Sequence, residues 1–312
     1  MTRDTVALIP AGGTIRLIPN ENPTPKALMQ VYGRPLLDYI VQALEQSSVE
    51  KTFIIQDHGV DLQASLSPAA KVVILEKDRD ITSTGLGFID ALRRIARTYG
   101  PEEIKQKNIL ILPCDLPAVT ASMIDQLVPQ AVISHADLYI TYLASELVKR
   151  RYPQKRFYKF YLADKKGWFT VPFVYFINGE FFEFHPGPSP ESEIIGIRGW
   201  DQERLESFEN LLNSIVKMRK EFAFTAKFFL HWMLKDKNLL TILNLIFTVL
   251  SRQMTEEKFI RYEYALFRDH VEAIYNPEPC FCGDVDSLQD ADIVLGSLQE
   301  SLEPLQNAPN SM

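Results

Sequence analysis

This chain is short of basic charge, of cysteine and of long apolar runs, and each shortage removes a class of explanation. Its 33 lysines and arginines stand against 40 acids, a net charge of −7. Proteins that wrap nucleic acid carry a basic field, so the balance argues against that partner and leaves room only for a local basic pocket. The cysteines number three, Cys114, Cys280 and Cys282. One residue between Cys280 and Cys282 is too tight for a zinc corner, and no disulfide spacing appears. They read as small, semi-buried residues of a reducing cytosol, so the expected location is cytoplasmic. The most apolar stretch, Asn238 to Leu250, is 13 residues long and flanked by charges. A membrane span needs about 20, so the stretch reads as a buried helix. Met1-Thr2-Arg3-Asp4 leads into a strand without a signal-peptide core. Neither a Gly-x-Ser-x-Gly elbow nor a Walker Gly-Lys-Ser/Thr occurs, and the 5 histidines are scattered without ligand or triad spacing. Hydrolase and P-loop readings fall away.

What is present is concentrated near the start. The apolar run Thr5 to Ile9 empties into Ala11-Gly12-Gly13-Thr14-Ile15-Arg16. Pro25-Lys26-Ala27-Leu28 and Gly33-Arg34-Pro35-Leu36-Leu37 follow. This reads as a strand, a glycine turn and two cations. Glycines let the backbone approach phosphate oxygens with no Cβ in the way, and their N–H groups can face an anion. Arg16 and Lys26 are placed to neutralise what the amides cannot. The constellation points to a nucleoside triphosphate.

Carboxylates form the second signal. Asn108 to Leu112 is apolar after its first residue, as in strands buried on both faces, and Asp115 follows it within Pro113-Cys114-Asp115-Leu116-Pro117. Ligands of open α/β sheets sit beyond the carboxyl ends of strands, so an acid there is well placed to hold a metal. Another acid arrives in Asp284-Val285-Asp286. Two carboxylates with phosphate oxygens and waters satisfy octahedral Mg²⁺. Either acid could instead cap the helix that follows it, and Ser287 or Asp286 is a candidate cap for a last helix reaching Leu302.

The first half alternates strands (Thr5–Ile9, Lys51–Ile55, Lys71–Leu75, Asn108–Leu112) with helices (Leu36–Gln46, Gly87–Tyr99, Ala121–Val128), which implies a parallel-rich sheet covered on both sides. From Ala136 the strands crowd together: Asp137–Ala144, Arg156–Asp164 and Trp168–Phe176, an antiparallel lobe or the far edge of the same sheet. Gln202 to about His270 reads as helical, with helices at Phe222–Leu234 and Leu239–Leu250. Its aromatic residues at helical spacing read as core. The expected domains are an α/β unit of 1–200 and 271–303, a helical insertion at 201–270 and a flexible tail at 304–312.

These motifs together resemble the MobA-like NTP transferases, the family of molybdenum-cofactor guanylyltransferase and, more distantly, of sugar-phosphate nucleotidyltransferases. The resemblance covers roughly residues 4–145 and 272–300. It implies a Rossmann-like (GT-A-like) mixed, mostly parallel sheet with helices on both faces. It implies that Ala11, Gly12, Gly13, Thr14 and Arg16 hold the triphosphate and that Lys26 meets the α-phosphate and acceptor. Asp115 and Asp286 would bind Mg²⁺, and Ser83, Thr84 and Gly85, within Thr82–Leu86, would contact the base. Two departures stand out. Thr14-Ile15 fills the place of a further glycine, although β-branched Ile is a poor occupant for positive φ. Val171-Pro172-Phe173 replaces a Gly-Gly-Asn stretch, which points to a different acceptor site.

The expected activity is Mg²⁺-dependent transfer of a nucleoside monophosphate from a triphosphate to a small, phosphorylated acceptor, with release of pyrophosphate. Two alternatives stay open. Asp284-Val285-Asp286 has the Asp-x-Asp form of GT-A-type glycosyltransferases, and the altered turn with its helical insert fits a catalytically degenerate, nucleotide-binding regulator.

Overall fold

The structure is a computed structural model that describes residues 4–15, 24–77, 84–131, 136–155, 157, 159–172, 174–185, 194–197, 248, 251–258, 260–261 and 270–296. Four parallel strands form its centre: β1 (Asp4–Pro10), β6 (Lys51–Gln56), β7 (Val72–Glu76) and β8 (Lys107–Ile111). Between the first two lie the paired two-residue strands β2 (Thr14–Ile15) with β3 (Thr24–Pro25), and β4 (Gln30–Val31) with β5 (Arg34–Pro35). Tyr32 and Gly33 join the latter pair with φ of 47° and 76°, the left-handed geometry of a tight hairpin turn. That hairpin launches helix α1 (Leu36–Gln46).

The remaining strands extend the sheet on one side. Strand β9 (Leu138–Ala144) is followed by helix α4 (Ser145–Arg151), then by β10 (Phe160–Leu162), β11 (Gly167–Thr170) and β12 (Tyr175–Asn178). The single expected strand Trp168–Phe176 is therefore two strands, parted around Pro172, which cannot donate to a ladder. Their partners differ. β11 pairs with β10 and β9, whereas β12 runs antiparallel between β8 and β9. A short hairpin of β13 (Phe182–His185) and β14 (Ile194–Ile197), absent from the sequence reading, stands apart. Strand β15 (Val271–Tyr275) closes the sheet along β9, giving nine strands in the order β10-β11-β9-β12-β8-β1-β6-β7 with β15 beside β9.

Alternation along the central strands explains the layering. Ala7, Ile9, Ile54, Leu110 and Leu112 face one apolar cluster, and Val6, Leu8, Phe53, Ile55, Ile109 and Ile111 face another. The first is covered by α1, by α3 (Ala121–Ala131) and by a helix at 288–296. The second is covered by α2 (Thr84–Ile104, interrupted at Gly100) and the β13–β14 hairpin. α1 contributes Leu36, Leu37, Ile40, Val41 and Leu44, all buried. Cutting any of the leucines to alanine costs about 2–5 kcal/mol by loss of contact and the cavity left behind.

Thr248, buried and helical, is described; the rest of the proposed helices at 222–234 and 239–250, and the tail, lie outside the described residues. From the 201–270 segment, Met254 packs with Tyr142, Leu162 and Phe169 against the sheet. Among the described residues no helix is long and apolar enough to cross a membrane.

Candidate active site

The glycine turn is built by the end of β1. Ala11 remains flush with the sheet, its N–H donating to the Ile55 carbonyl at 2.9 Å. Gly13 then takes φ 99°, a region costly for any residue with a Cβ. That turn lets Thr14–Ile15 run back against Thr24–Pro25, so Ile15 is extended. The expectation that Ile15 burdens the turn is corrected, because the positive φ falls on Gly13. The Lys26 N–H donates to the Gly13 carbonyl at 3.0 Å, which locks the lysine's backbone to the turn.

From there the Lys26 side chain, 17% exposed, reaches two acids from distant parts of the chain. Its ammonium lies 2.6 Å from Asp286 Oδ1 and in still closer contact with Asp115 Oδ2. Asp115 stands in the loop after β8. Asp286 comes from the turn after β15, which the main chain straps to the same loop through a 3.0 Å bond from the Val285 N–H to the Asp115 carbonyl. Beneath this turn Cys280, Phe281 and Cys282 are buried. Burial, with the charge of Asp115, holds the Cys114 thiol up at about 12. All three cysteines are free thiols, in keeping with the packing role read from the sequence.

Helix capping does not account for either acid. Thr120 Oγ1 accepts from the Met123 N–H at the start of α3, so Asp115 is not its cap. Ser287 caps the final helix, accepting from the Asp290 N–H at 3.0 Å and donating to Asp290 Oδ2 at 2.8 Å. The Asp286 carboxylate is therefore available to Lys26.

Electrostatics set this cluster apart. Burial alone would lower the Lys26 ammonium, but the charges of Asp115 and Asp286 outweigh it and raise its pKa well above the usual lysine range. Burial raises the Asp115 carboxyl, as do Asp284 and Asp286, while Lys26 opposes them. Ligand oxygens of Asp115, Asp284 and Asp286 all lie within 4.8 Å of one another. Asp115 Oδ1 is buried and accepts no hydrogen bond. A buried carboxylate oxygen without a partner, in an all-oxygen set, fits a hard divalent cation.

Four further residues belong here and were not assigned by sequence reading. Asp284 was quoted in its motif but given no role. Lys155, 6% exposed, holds it, its ammonium 3.2 Å from Asp284 Oδ1 and donating to the Asp284 carbonyl. Asp57 Oδ2 accepts from the Gly13 N–H at 3.2 Å, and Asp57 Oδ1 lies 2.5 Å from Lys77 Nζ. The glycine turn thus faces an anion, as expected, but one that the protein supplies. Burial alone would raise Asp57; its hydrogen bond and charge pairing with Lys77 lower it. Asp57 and Lys77 each follow the last residue of a parallel strand, the signal that singled out Asp115.

Gly12 and Gly13 thus join Lys26, Asp115 and Asp286 around one carboxyl edge of the sheet, with Ala11 beneath and Thr14 exposed beside them. Arg16 and Ser83 lie outside the described residues. Thr84 and Gly85 open α2, where Gly87 leaves no room for a Cβ against Lys77.

The fold so defined is nucleotidyltransferase-like. Over 93% of this chain and 99% of the other, it superposes with TM-score 0.59 on a hypothetical transferase from Thermus thermophilus, at 16% identity. It also resembles 4-diphosphocytidyl-2C-methyl-D-erythritol synthase from Anaerococcus prevotii, with TM-score 0.50 and 9% identity over 96% and 100% of the two chains. At such identities the likeness is one of fold. Residues 7–157 match the family model of the MobA-like NTP transferase domain. Among curated relatives it is 23% identical over 123 residues to the bifunctional protein GlmU of Syntrophomonas wolfei, which covers 39% of this chain and a quarter (25%) of that protein. The family match ends at Phe157, so Asp284 and Asp286 enter the cluster from beyond it.

Proposed function

We propose that this protein transfers a nucleoside monophosphate from a nucleoside triphosphate to a small phosphorylated acceptor and releases pyrophosphate. One observation carries the reading: Lys26, Asp115 and Asp286, far apart in sequence, meet at the carboxyl edge of the sheet beside the glycine turn. In the reaction an acceptor oxygen attacks the α-phosphorus in line. The bond from phosphorus to the bridging oxygen breaks, and its electron pair leaves with pyrophosphate. Little covalent work falls to the protein in such a step, where positioning and charge neutralisation carry the rate.

Gly12, Gly13, Thr14 and Ala11 form the floor on which the triphosphate lies, with Arg16 supplying positive charge. Ser83, Thr84 and Gly85 border the base. Lys26 neutralises charge growing at the α-phosphoryl oxygens, a role worth about 3–4 kcal/mol for a preorganised donor. Asp115 and Asp286, with Asp284 beside them, would hold Mg²⁺. Bound there, Mg²⁺ would neutralise phosphate charge and polarise the reacting group.

The test is pyrophosphate release by purified protein with each of the four nucleoside triphosphates, Mg²⁺ and a metabolite extract as acceptor source. Release above that of Lys26→Ala supports the reading. Nucleoside diphosphate released from a nucleotide-sugar donor, with no pyrophosphate from any triphosphate, marks a glycosyltransferase instead. A second reading, nucleotide binding without transfer, is favoured by the contact of Asp57 with the Gly13 N–H, which occupies an amide suited to phosphate. Tight nucleotide binding without pyrophosphate release selects it.

A further inference from the structure

The carboxylates of the acidic cluster are neutralised by two lysines of different kinds. Lys155 grips both the side chain and the carbonyl of Asp284, and its own side chain is only 6% exposed. Nothing in that arrangement is shared with Asp115. Lys26 is shared. Its one ammonium bridges Asp115 and Asp286, which lie 89 and 260 positions away along the chain. Asp115 keeps its second oxygen buried and unpartnered beside that bridge. Lys26 is thus bonded to two of the three carboxylates whose oxygens cluster within 4.8 Å.

A hard divalent cation would be held by those same carboxylate oxygens. An ammonium on the same two carboxylates would then stand within a few ångströms of a doubly charged ion, in a partly buried setting that screens poorly. The two cations compete for the same ground. The lysine is the one that can leave. Its backbone is fixed to Gly13 by the 3.0 Å bond, while its flexible four-carbon stem can turn the ammonium toward the glycine turn.

We propose that Lys26 is a displaceable counter-ion, whose ammonium and a divalent cation take turns on Asp115 and Asp286. Triphosphate oxygens at the glycine turn draw the lysine away. This last clause rests on the nucleotidyl-transfer reading; the exchange on the carboxylates rests on the bridge alone. The metal by itself then binds weakly, and metal and triphosphate strengthen each other's binding reciprocally. The lysine neutralises the buried acids until the metal arrives, then becomes a phosphate ligand.

The test uses the full chain without nucleotide, with Mn²⁺ as the probe and free Mn²⁺ counted by electron paramagnetic resonance. Lys26→Gln is expected to bind Mn²⁺ about tenfold or more tightly than the wild type, within the usual range of coupling between sites. Asp115→Asn is expected to lose that binding. Equal or weaker binding by Lys26→Gln overturns the proposal, as does absence of Mn²⁺ binding in both proteins. If unpaired acids destabilise Lys26→Gln, Mn²⁺ is expected to restore its melting temperature. A destabilised variant that Mn²⁺ does not rescue also counts against exchange. Pyrophosphate release by the wild type is scored separately. Its absence overturns the catalytic reading while the Mn²⁺ result stands on its own.

Discussion

Strand β8 runs between two clusters of lysine and carboxylates, each with three acids, that differ in design. At its amino end, Lys107 is 6% exposed and lies 2.6 Å from Glu50, 3.3 Å from Asp4 and 3.5 Å from Glu103. Beyond its carboxyl end, Lys26 meets Asp115 and Asp286, with Asp284 alongside. At the amino end one lysine faces three acids, and at the carboxyl end Lys26 and Lys155 face three. At the amino end the acids reach water, being 73%, 38% and 57% exposed for Asp4, Glu50 and Glu103, so solvent finishes what the lysine begins. At the carboxyl end Asp115 is buried and has an oxygen that nothing satisfies. The first cluster is complete as it stands. The second leaves a buried carboxylate oxygen without a partner, and that unmet need, rather than a count of charges, separates it from a structural ion pair.

The comparison breaks most sharply at Asp115. Asp115→Asn is expected to cut pyrophosphate release about a thousandfold or more while circular dichroism and melting show a folded protein, since it removes a buried charge. Lys26→Met comes next, with an expected loss of about 10²–10³ in kcat, the scale of one preorganised electrostatic donor. At the other end of the strand, Lys107→Met should leave turnover per folded molecule unchanged and cost stability instead. About 1–3 kcal/mol is expected, less than for a fully buried pair because its acids are hydrated. A melting curve would then fall by roughly 2–10 °C. Loss of turnover in Lys107→Met without unfolding would erase the distinction between the two ends.

The smallest effect concerns Asp57 and pH. Its folded pKa is lowered from 3.8, so its pairing with Lys77 contributes stability in full above that value. The contribution is lost as the pH falls through the lowered folded value. Melting temperature measured between pH 5 and 2 should therefore fall less steeply for Asp57→Asn than for the wild type. An identical slope would show that the pair does not contribute.

Much of the carboxyl-end cluster was legible in the sequence because its parts obey local rules. Asp115 follows the apolar run Ile109–Leu112, Lys26 follows a proline near a glycine turn, and Asp286 precedes a capped helix. Helix α1 was legible at both ends because Pro35 precedes it and its apolar residues recur at helical spacing. What was hidden depends on pairing over distance. Periodicity along Trp168–Phe176 gave no sign that its second half crosses to lie between β8 and β9. No spacing in the sequence singles out Lys155, and only the fold brings it to Asp284. Asp57 and Lys77 were within reach, since each directly follows a parallel strand as a charged residue.

Lys26 and Asp286 are 260 positions apart, and β15 with the turn behind it is among the last segments described. A ribosome releases the partners of β1, β6, β7 and β8 long before it reaches that turn, so the parallel half can pair while the closing acids are still untranslated. Until they emerge, Lys26 has Asp115 alone to answer. Any copy of the polypeptide cut short before residue 284 carries the glycine turn and lacks two of three carboxylates. Synthesis past residue 286 thereby becomes a precondition for assembling the cluster, written into the order in which the residues are made.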